Sequence, residues 1–440
     1  MKNDDNRIKI GMIGLGYIGS EVLELITRKK EYIFKKIGKY LEVIKVAEKD
    51  LSSRRSIISR HKEITFTEDP GEIIEDGSID IVIELIGGIE PSFEYILACL
   101  NNKKFVVTAN KDLIAKKGPD IFDAAEKNEV DILFEASVGG GIPIIGPLKT
   151  TLAANNIYKV VGILNGTTNY ILTRMDSDGL GFKDALRIAQ ELGYAESDPD
   201  SDIMGKDAAN KLAILSSIIF NSRVSVDDVY KEGIINITEE DITNARELGY
   251  CIKLLAIGDL LDDKINVRVH PALIPSEHIL SSIKYENNAV YFYGDNVGEV
   301  MSFGKGAGDK PTASSVVGDV INIARNFDRA DPHPVFGCTC FTKKEIAAID
   351  DTVGKFYVLM EVTDKPGVLA KISKIFGNNS VSIHSMIQKP SRENKKGSAS
   401  LVFIIHDVLN RNIKKALEQI KGLDVVDSVK NVIRVEELEN

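Results

Sequence analysis

The chain has 440 residues, of which 43% are hydrophobic and 27% are charged, enough for a substantial core and for roughly two to four domains. Its 65 acidic residues outnumber the 55 basic ones, which gives a formal net charge of -10. This balance disfavours nucleic-acid and membrane partners, since both need concentrated positive charge, and it leaves a small-molecule substrate open.

The first third of the chain alternates short apolar segments with helical patterns. Strands that alternate with helices predict βαβ units, and hence an α/β fold with a Rossmann-type, doubly wound parallel sheet. We assign residues 1–138 to this domain. The predicted elements are the strands Ile8–Ile13, Tyr40–Ala47, Ile79–Ile86, Phe105–Thr108 and Ile132–Glu135, and the helices Ser92–Leu100 and Ile121–Lys127.

The pattern changes at the glycine-rich segment Gly139–Pro143, where we place the start of an α+β substrate domain, residues 139–301. A second glycine-rich turn, Gly304–Gly308, precedes a further helix, and residues 302–335 are predicted to complete the first domain. The predicted elements are the helices Ile144–Leu152, Lys183–Leu192, Asp207–Phe220 and Thr312–Asn326, and the strands Val160–Leu164, Val267–Ala272 and Ala289–Tyr293.

The last 88 or so residues have the order βαββαβ, which is typical of a ferredoxin-like module. We assign residues 353–440 to it and residues 336–352 to a linker, after the turn-forming segment Asp331–Pro334. The predicted elements are the strand Phe356–Val362, the turn Pro366–Gly367, a helix to Phe376, the strand Val381–Gln388, the charged turn Arg392–Lys396, the strand Ala399–His406, the helix Asn412–Lys421 and the strand Val429–Val435.

Gly14, Gly16 and Gly19 fit the pattern G-x-G-x-x-G directly after a strand and at the start of a helix. The first glycine permits the tight turn, the second lets the backbone approach a pyrophosphate, and the third lets the helix pack on the strand. The first helical turn, with Tyr17 and Ile18, offers its N–H groups to the anion. A plain strand-to-helix turn is the alternative, but the surrounding βαβ order favours binding of NAD or NADP.

Both charges follow the second predicted strand, in the sequence Glu48-Lys49-Asp50 and then Arg54. An acidic residue at this point binds the ribose hydroxyls of NAD, whereas a basic residue accepts the 2′-phosphate of NADP. Lys49 and Arg54 favour NADP or the use of both cofactors, and a solvated loop is the alternative. The choice of cofactor stays open.

Several blocks of the first 330 residues resemble the signature segments of homoserine dehydrogenases, and they occur in that family's order. One block on its own would be weak evidence, but the series is specific. The matching blocks are Ile83–Gly88, Thr108–Lys111, Phe134–Pro143, Leu164–Leu172, Glu191–Pro199 followed by Asp202, Gly205, Asp207 and Lys211, and Gly304–Gly308 followed by Pro311–Ala313.

The resemblance implies reduction of L-aspartate 4-semialdehyde to L-homoserine with NAD(P)H. It implies that Lys211 is the general acid and base, that Asp207 orients it or the substrate, and that Lys111 contacts the nicotinamide region and the substrate. Asp207 and Lys211 are four residues apart and share one face of a predicted helix. The alternative is an ordinary surface pair, and for Lys111 a solvated lysine.

Further residues take their roles from the same resemblance. Glu196 and Asp202 are expected to receive the α-ammonium group of the substrate, and Gly193 begins the substrate loop. Gly308 is expected to contact the cofactor, with helix capping as its alternative. The remaining set is Glu135, Val138, Gly140 and Ile142. It is equally compatible with a sodium ion, bound chiefly by backbone carbonyls, and with a tight turn that holds no ion.

The segment Val362–Ala370 resembles the opening of an ACT domain, a module that binds amino-acid effectors. A glycine turn at a helix start can bind a carboxylate, so the expected effector residues are Asp364, Gly367, Val368 and Leu369. ACT domains pair between subunits, which implies a homodimer or a homotetramer. Feedback inhibition by threonine is implied by pathway analogy alone, and a module used only for dimerisation is the alternative.

Two other functions are compatible with parts of the sequence. A phosphorylating semialdehyde dehydrogenase needs a cysteine nucleophile beside a histidine, whereas Cys99 lies in a predicted helix with no such partner. A non-catalytic amino-acid sensor would lose the acid and base residues, yet Lys111, Asp207 and Lys211 are present. Because no kinase segment precedes Met1, we expect a monofunctional enzyme.

Four cysteines are too few for a disulfide-stapled secreted protein, no segment approaches about 18 uninterrupted apolar residues, and the N-terminus has no signal-peptide pattern. A cytoplasmic location is therefore expected. Cys338 and Cys340 form a C-x-C pair whose role stays open. Structural or incidental thiols are favoured over a metal half-site, because no second ligand pair accompanies them.

Overall fold

The computed structural model describes residues 6–328, 336–391 and 397–438. The predicted segments Asp331–Pro334 and Arg392–Lys396 lie outside the described residues. Unit one takes its residues from 1–158, 210–227 and 289–343, and unit two from 159–209, 228–288 and 344–440. Within the described residues, each helix is too short or too polar to cross a membrane.

The sheet of unit one has the strand order β3-β2-β1-β4-β5-β6, and all its neighbouring strands are parallel. This is the order of a Rossmann fold, whose ligand crevice lies at the carboxyl ends of β1 and β4. The predicted doubly wound sheet is confirmed. Its strands are β1 (Arg7–Ile13), β2 (Tyr40–Ala47), β3 (Thr65–Thr67), β4 (Ile81–Glu84), β5 (Phe105–Thr108) and β6 (Ile132–Leu133).

The helices of the described residues alternate with these strands and continue through the rest of the chain. They are α1 (Tyr17–Arg28), α2 (Lys30–Ile37), α3 (Arg55–Arg60), α4 (Gly71–Ile74), α5 (Ser92–Asn101), α6 (Lys111–Lys127), α7 (Ile145–Lys149), α8 (Gly166–Asp178), α9 (Phe182–Glu191), α10 (Asp200–Ile203), α11 (Lys206–Ile219), α12 (Glu239–Glu247), α13 (Asp309–Asn326), α14 (Val368–Asn378) and α15 (Asn410–Lys421).

Helix α13 packs against α1, and both helices contribute to the core on one face of the sheet. Val316, Val320 and Ile323 of α13 lie in the same buried cluster as Val22 and Leu23 of α1. A stripe of apolar residues at helical spacing drives this packing. A segment 300 residues further along the chain therefore holds the helix that follows the first glycine turn.

Most of the remaining strands form a mixed sheet in unit two. There the order is β7-β9-β10-β16-β13-β15-β14, with β8 beside β10. Strands β11 and β12 are neighbours in unit one. The strands are β7 (Ile157–Ile163), β8 (Tyr230–Lys231), β9 (Tyr250–Leu261), β10 (Lys264–Pro275), β11 (Asn287–Gly294), β12 (Gly298–Lys305), β13 (Val353–Thr363), β14 (Ile383–Pro390), β15 (Ser398–Leu409) and β16 (Val426–Val435).

The C-terminal part has the order β13-α14-β14-β15-α15-β16, which confirms the predicted βαββαβ module. Its strands are neighbours in the sequence β16-β13-β15-β14, as in ferredoxin-like folds. The two helices cover one face with a core that includes Phe376, Phe403 and Ile420. Strand β16 also pairs in parallel with β10, at Ala272–Arg434 and Leu273–Val435.

Some predicted bounds differ from the structure, and some helices were not predicted. Helix α6 begins at Lys111 rather than at Ile121, because the Asn110 side chain accepts the Leu113 N–H at 3.1 Å and caps the helix ten residues earlier. The predicted strand over 132–135 ends at Leu133, and a short 3-10 turn follows it. Helix α8 occupies a segment to which the sequence analysis assigned no element.

Candidate active site

The first glycine turn follows β1 and is fixed by backbone contacts. Gly14 has φ +105°, donates its N–H to the Ala47 carbonyl at 2.9 Å, and lies so near Leu85 that an added Cβ would be 2.9 Å from that backbone. An added Cβ at Gly19 would lie under 3.0 Å from the Gly14 carbonyl oxygen. Both glycines are therefore required by the packing of the turn itself.

Gly16 is different, because an added Cβ there would meet nothing within 4 Å. Gly16 is the N-cap of α1 and has no capping side chain, and Tyr17 after it is 79% exposed. The first turn of α1, which includes Ile18, thus presents N–H groups beside open space. Such a turn fits a pyrophosphate, which needs N–H donors and a close backbone approach.

The end of β2 presents both an acidic and a basic group. Glu48 accepts the Leu15 N–H at 2.7 Å and so supports the glycine turn. The Arg54 guanidinium lies 6.0 Å from the centre of the Tyr17 ring, and its Nε atom is buried without a hydrogen-bond partner among the described residues. Lys49 is exposed. Arg54 thus lies beside the first turn of α1.

The two proposed catalytic lysines lie near each other along the backbone of unit one. Lys111 is the first residue of α6, three residues after β5, and Lys211 is buried, with 9% of its surface exposed. Asn210 donates to the Asp112 carboxylate at 2.6 Å. This hydrogen bond joins the residue after Lys111 to the residue before Lys211, at the carboxyl edge of the parallel sheet.

The proposed carboxylates of unit two are joined by a side chain that the sequence analysis did not single out. The Asn165 amide donates to Asp202 at 2.7 Å and to Asp207 at 2.8 Å, while its oxygen caps α8 through the Thr168 N–H at 2.8 Å. Asp207 is 6% exposed, and Lys211 follows it by one turn on α11. The position of Asn165 directly after a predicted strand was the available signal.

Glu196 and Gly193 lie in an exposed loop after α9. Gly193 has φ +76°, which lets the chain reverse at the end of the helix. The Glu196 carbonyl accepts the Gln190 amide at 3.0 Å, and its carboxylate has no hydrogen-bond partner among the described residues. The Asn165 hydrogen bonds join Asp202 to Asp207 but do not include Glu196.

The predicted sodium turn is packed against the second glycine turn. The Glu135 carboxylate accepts the N–H groups of Ile144, Ile145 and Gly146 at 2.6, 2.8 and 2.5 Å, so its side chain caps α7. The Gly140 carbonyl accepts the Ser315 hydroxyl at 2.7 Å. The Glu135 carboxylate is thus occupied by N–H groups. A cation at this turn would therefore be offered backbone oxygens, which suit a hard ion, by the set Glu135, Val138, Gly140 and Ile142.

Close contact between the two glycine turns accounts for Gly140, and a positive φ accounts for Gly308. An added Cβ at Gly140 would lie 2.5 Å from the Gly306 carbonyl oxygen. Gly308 has φ +115° and is the N-cap of α13. The helix-capping role is thus present whether or not Gly308 also contacts a cofactor.

The expected effector turn lies at the start of α14. Gly367 has φ +90°, caps the helix without a side chain, and an added Cβ there would meet nothing within 4 Å. Asp364 accepts the Gln388 amide at 3.1 Å, Val368 is buried and Leu369 is exposed. The turn offers N–H groups beside open space, which suits a carboxylate.

Cys99 does not fit the nucleophile of a phosphorylating dehydrogenase. It is 1% exposed, and burial raises the pKa of its thiol to about 12. A thiol in that state carries almost no thiolate at neutral pH, and the thiolate is the nucleophile.

Comparison with known proteins gives the same family over the whole chain. The family model "Homoserine dehydrogenase" matches residues 143–321, "Homoserine dehydrogenase, NAD binding domain" matches 14–135, and "ACT domain" matches 356–425. The homoserine dehydrogenase of Synechocystis sp. is 43% identical over 436 residues, which cover 97% of this chain and 99% of that protein.

Solved structures agree. A homoserine dehydrogenase from Thiobacillus denitrificans has a TM-score of 0.92 at 39% identity, with 98% of each chain covered. A hyperthermophilic archaeal homoserine dehydrogenase in complex with NADPH has a TM-score of 0.62 at 27% identity, covering 74% of this chain and 100% of that one. The chain belongs to the homoserine dehydrogenase family and is an NAD(P)-dependent oxidoreductase with a C-terminal ACT domain.

Proposed function

We propose that the chain interconverts L-aspartate 4-semialdehyde and L-homoserine with Lys211 as the proton donor and acceptor. The bound nicotinamide supplies or accepts the hydride. When the aldehyde carbon gains a hydride, its oxygen becomes negative, and an ammonium group beside it stabilises the charge and donates the proton. The observation that carries this proposal is the buried Lys211, one turn after an Asp207 that Asn165 holds in place.

The roles of the neighbouring groups follow from where they are held. Asp207 positions Lys211 or the substrate, because its carboxylate is fixed by the Asn165 amide. Lys111 contacts the nicotinamide region and the substrate, a role supported by its place at the carboxyl edge of the parallel sheet. The hydrogen bond between Asp112 and Asn210 supports a common site for both lysines.

Carboxylates receive the α-ammonium group of the substrate. Asp202 is the stronger candidate, because Asn165 holds it beside Asp207. Glu196 is the second, and its exposed carboxylate is available to a ligand. Gly193 allows the loop that carries Glu196 to turn toward the substrate.

The cofactor binds across Gly14–Gly19, and we propose a preference for NADP. Gly16 leaves room for the pyrophosphate, and Gly308 approaches the cofactor from the second glycine turn. Arg54, with its buried Nε, and the exposed Lys49 suit a 2′-phosphate. The archaeal relative in complex with NADPH is consistent with this choice.

A sodium ion is proposed at the backbone oxygens of Glu135, Val138, Gly140 and Ile142. These residues fit a hard cation, because each carbonyl oxygen has two lone pairs and can accept an N–H or O–H and still ligate. The ion would fix the turn that packs on Gly306. Thermal unfolding in sodium against choline chloride at equal ionic strength tests this, and equal melting temperatures would reject it.

Regulation is proposed to act through the ACT domain, with an amino acid bound at Asp364, Gly367, Val368 and Leu369. The open space at Gly367 and the uncapped start of α14 support a carboxylate there. Threonine as the effector, and a homodimer or homotetramer, remain proposals by analogy. The cytoplasmic location remains a prediction.

Two lysine variants on one helix test the catalytic assignment. Lys211→Met keeps the length of the side chain and removes the ammonium, so we expect kcat/KM for homoserine to fall about 100- to 10,000-fold. Lys206→Met is the matched control, since Lys206 is exposed on the same helix, and it should keep nearly full activity. The cofactor dissociation constant and the melting temperature should stay close to those of the parent in both variants.

The result that would reject the assignment is equally specific. Lys211 is not the acid and base if Lys211→Met retains its turnover, or if Lys206→Met loses as much.

A further inference from the structure

Cys338 and Cys340 lie side by side in a tight turn of unit one. Cys338 is exposed and Cys340 is partly buried. The Cys340 N–H donates to the Cys338 sulfur at 3.4 Å, and the Phe341 N–H donates to the Thr339 carbonyl at 2.9 Å, which closes the turn around Cys340. This turn holds the exposed Cys338 sulfur against the backbone of Cys340.

Two basic side chains of unit one surround the pair. The Lys149 ammonium donates to the carbonyls of Phe336 and Gly337 at 2.8 and 3.2 Å, and the Arg223 guanidinium pairs with Asp123 at 2.5 Å. An acidic group is near as well, because Asp131 accepts the Phe336 N–H at 2.8 Å. The anchored lysine thus lies one residue from Cys338.

The contacts make the two thiols unequal. Hydrogen bonds from Cys340, together with the nearby Lys149 and Arg223, lower the pKa of Cys338 to about 6, although partial burial opposes this. The same pairing raises the pKa of Cys340. An exposed thiolate beside a protonated thiol is the arrangement of an attacking and a resolving cysteine.

The other two thiols provide an internal contrast. Burial raises the pKa of Cys251 to about 11, as it raises that of Cys99 to about 12. Both are expected to be inert in the folded chain.

We propose that Cys338 and Cys340 form a reversible oxidation site for low-molecular-weight disulfides. The Cys338 thiolate attacks one sulfur of a disulfide RSSR, whose S–S bond breaks and releases RS⁻ as a mixed disulfide forms. Cys340 then loses its proton to RS⁻ and attacks the Cys338 sulfur, releasing the second RS⁻. RSSR gains two electrons and is reduced, and the chain keeps an internal disulfide.

The oxidised turn would lose contacts that now hold it on helix α11. The Cys340 thiol donates to the Ser217 carbonyl at 3.7 Å, and Thr342 donates through its N–H to Asn221 at 2.8 Å and through its hydroxyl to Phe220 at 3.2 Å. A disulfide has no S–H, so the bond to Ser217 is lost on oxidation. Faster amide exchange at Thr342 is therefore expected in the oxidised chain, with recovery after reduction by dithiothreitol.

Glutathione disulfide and mass spectrometry test the site in the full chain. The wild type should lose the mass of two hydrogen atoms without retaining glutathione, and peptide mapping should place the disulfide at Cys338 and Cys340. Cys340→Ser should stop at one glutathione on Cys338, and Cys338→Ser should react at least tenfold more slowly. Cys251→Ser is the matched control and should behave as the wild type.

Alkylation by iodoacetamide as a function of pH gives a second readout. Cys338 should react with a midpoint at pH about 6, well below the value of about 8.5 for an ordinary thiol. A midpoint above pH 8, a wild type that remains glutathionylated, or reaction at Cys251 in place of Cys338 would overturn the proposal. None of these measurements depends on the dehydrogenase reaction.

Discussion

Substitution of alanine at Gly16 and at Gly19 should separate cofactor binding from folding. At Gly16, φ is -66° and an added Cβ meets nothing, so the free energy of unfolding should change by less than about 1 kcal/mol, as the weaker N-cap and the stiffer unfolded chain offset each other. At Gly19 the added Cβ would overlap the Gly14 carbonyl. Overlap with backbone requires a shift of the turn, which we expect to cost about 1–3 kcal/mol.

Cofactor binding, unlike stability, should be weakened by the change at Gly16. A methyl group at residue 16 occupies the space that a pyrophosphate needs, so Gly16→Ala should raise the dissociation constant of NAD(P)H at least about tenfold, or about 1.4 kcal/mol. The chain has no tryptophan, so the fluorescence of the reduced nicotinamide itself can be titrated. Urea unfolding without cofactor measures the stability term.

Either of two results would refute this reasoning. If Gly16→Ala unfolds as easily as Gly19→Ala, or if it binds NADPH and NADH like the parent, the open space at Gly16 is not a phosphate site.

Three further changes have expected outcomes. Arg54→Gln should raise the KM for NADPH about tenfold and leave the KM for NADH nearly unchanged, and equal effects on both would contradict a contact with the 2′-phosphate. Burial raises the pKa of Asp319 well above its usual value, so the folded chain binds a proton that the unfolded chain releases, and stability falls as pH rises above about 4. Asp319→Asn still accepts the Glu135 N–H. In urea unfolding, its free energy of unfolding should therefore rise relative to that of the parent between pH 5 and pH 8, and a difference that does not change with pH would contradict this. Although burial opposes it, Arg268 lowers the pKa of Glu436, which adds stability that is lost as pH falls through that depressed pKa. Glu436→Gln should lower the free energy of unfolding by about 2–3 kcal/mol at pH 7, and no more, because Asp259 remains beside Arg268. The loss should be smaller in acid, and a loss that does not shrink in acid would count against the ion pair.

Patterns that lie within a few residues of each other allowed the fold to be predicted. The spacing of Gly14, Gly16 and Gly19 after an apolar strand, and the alternation of strands and helices, are local signals of a Rossmann sheet. The starts of α6 and α8 were missed because they depend on single asparagine caps, Asn110 and Asn165, within segments of mixed polarity. A cap is decisive only once the backbone around it is placed.

The proposed catalytic residues were accessible from sequence only in part. Asp207 and Lys211 are one helical turn apart, so their common face follows from spacing alone. The link from Asn165 to Asp202 and Asp207 spans 37 and 42 residues and depends on how β7, α8 and α11 are placed. Hydrogen bonds of that range have no signature in local pattern, which is why the sequence identified the two carboxylates and not the amide that joins them.

The same unit that holds these carboxylates also contains the ACT domain, and a continuous set of hydrogen bonds connects them. Strand β16 pairs with β10, and the Glu436 N–H donates to Leu273 at 2.9 Å. Further along the same edge of β10, the Glu232 N–H donates to Val269 at 2.7 Å, and the Ile234 N–H donates to Ile203 at 2.8 Å, next to Asp202.

A ligand at Gly367 can change substrate affinity only if the two arrangements of this sheet differ in their affinity for that ligand. The junction of β10 and β16 consists of only two residue pairs, whereas β13 and β15 pair along ten. A small displacement of one strand along the other therefore breaks the fewest hydrogen bonds at the junction of β10 and β16. The same edge of β10 also accepts the Glu232 N–H, and Ile234 of that loop donates to Ile203 at the end of α10. We therefore expect a shift at the junction to displace the neighbouring Asp202 without unfolding either core, which is the physical requirement for regulation through this fold.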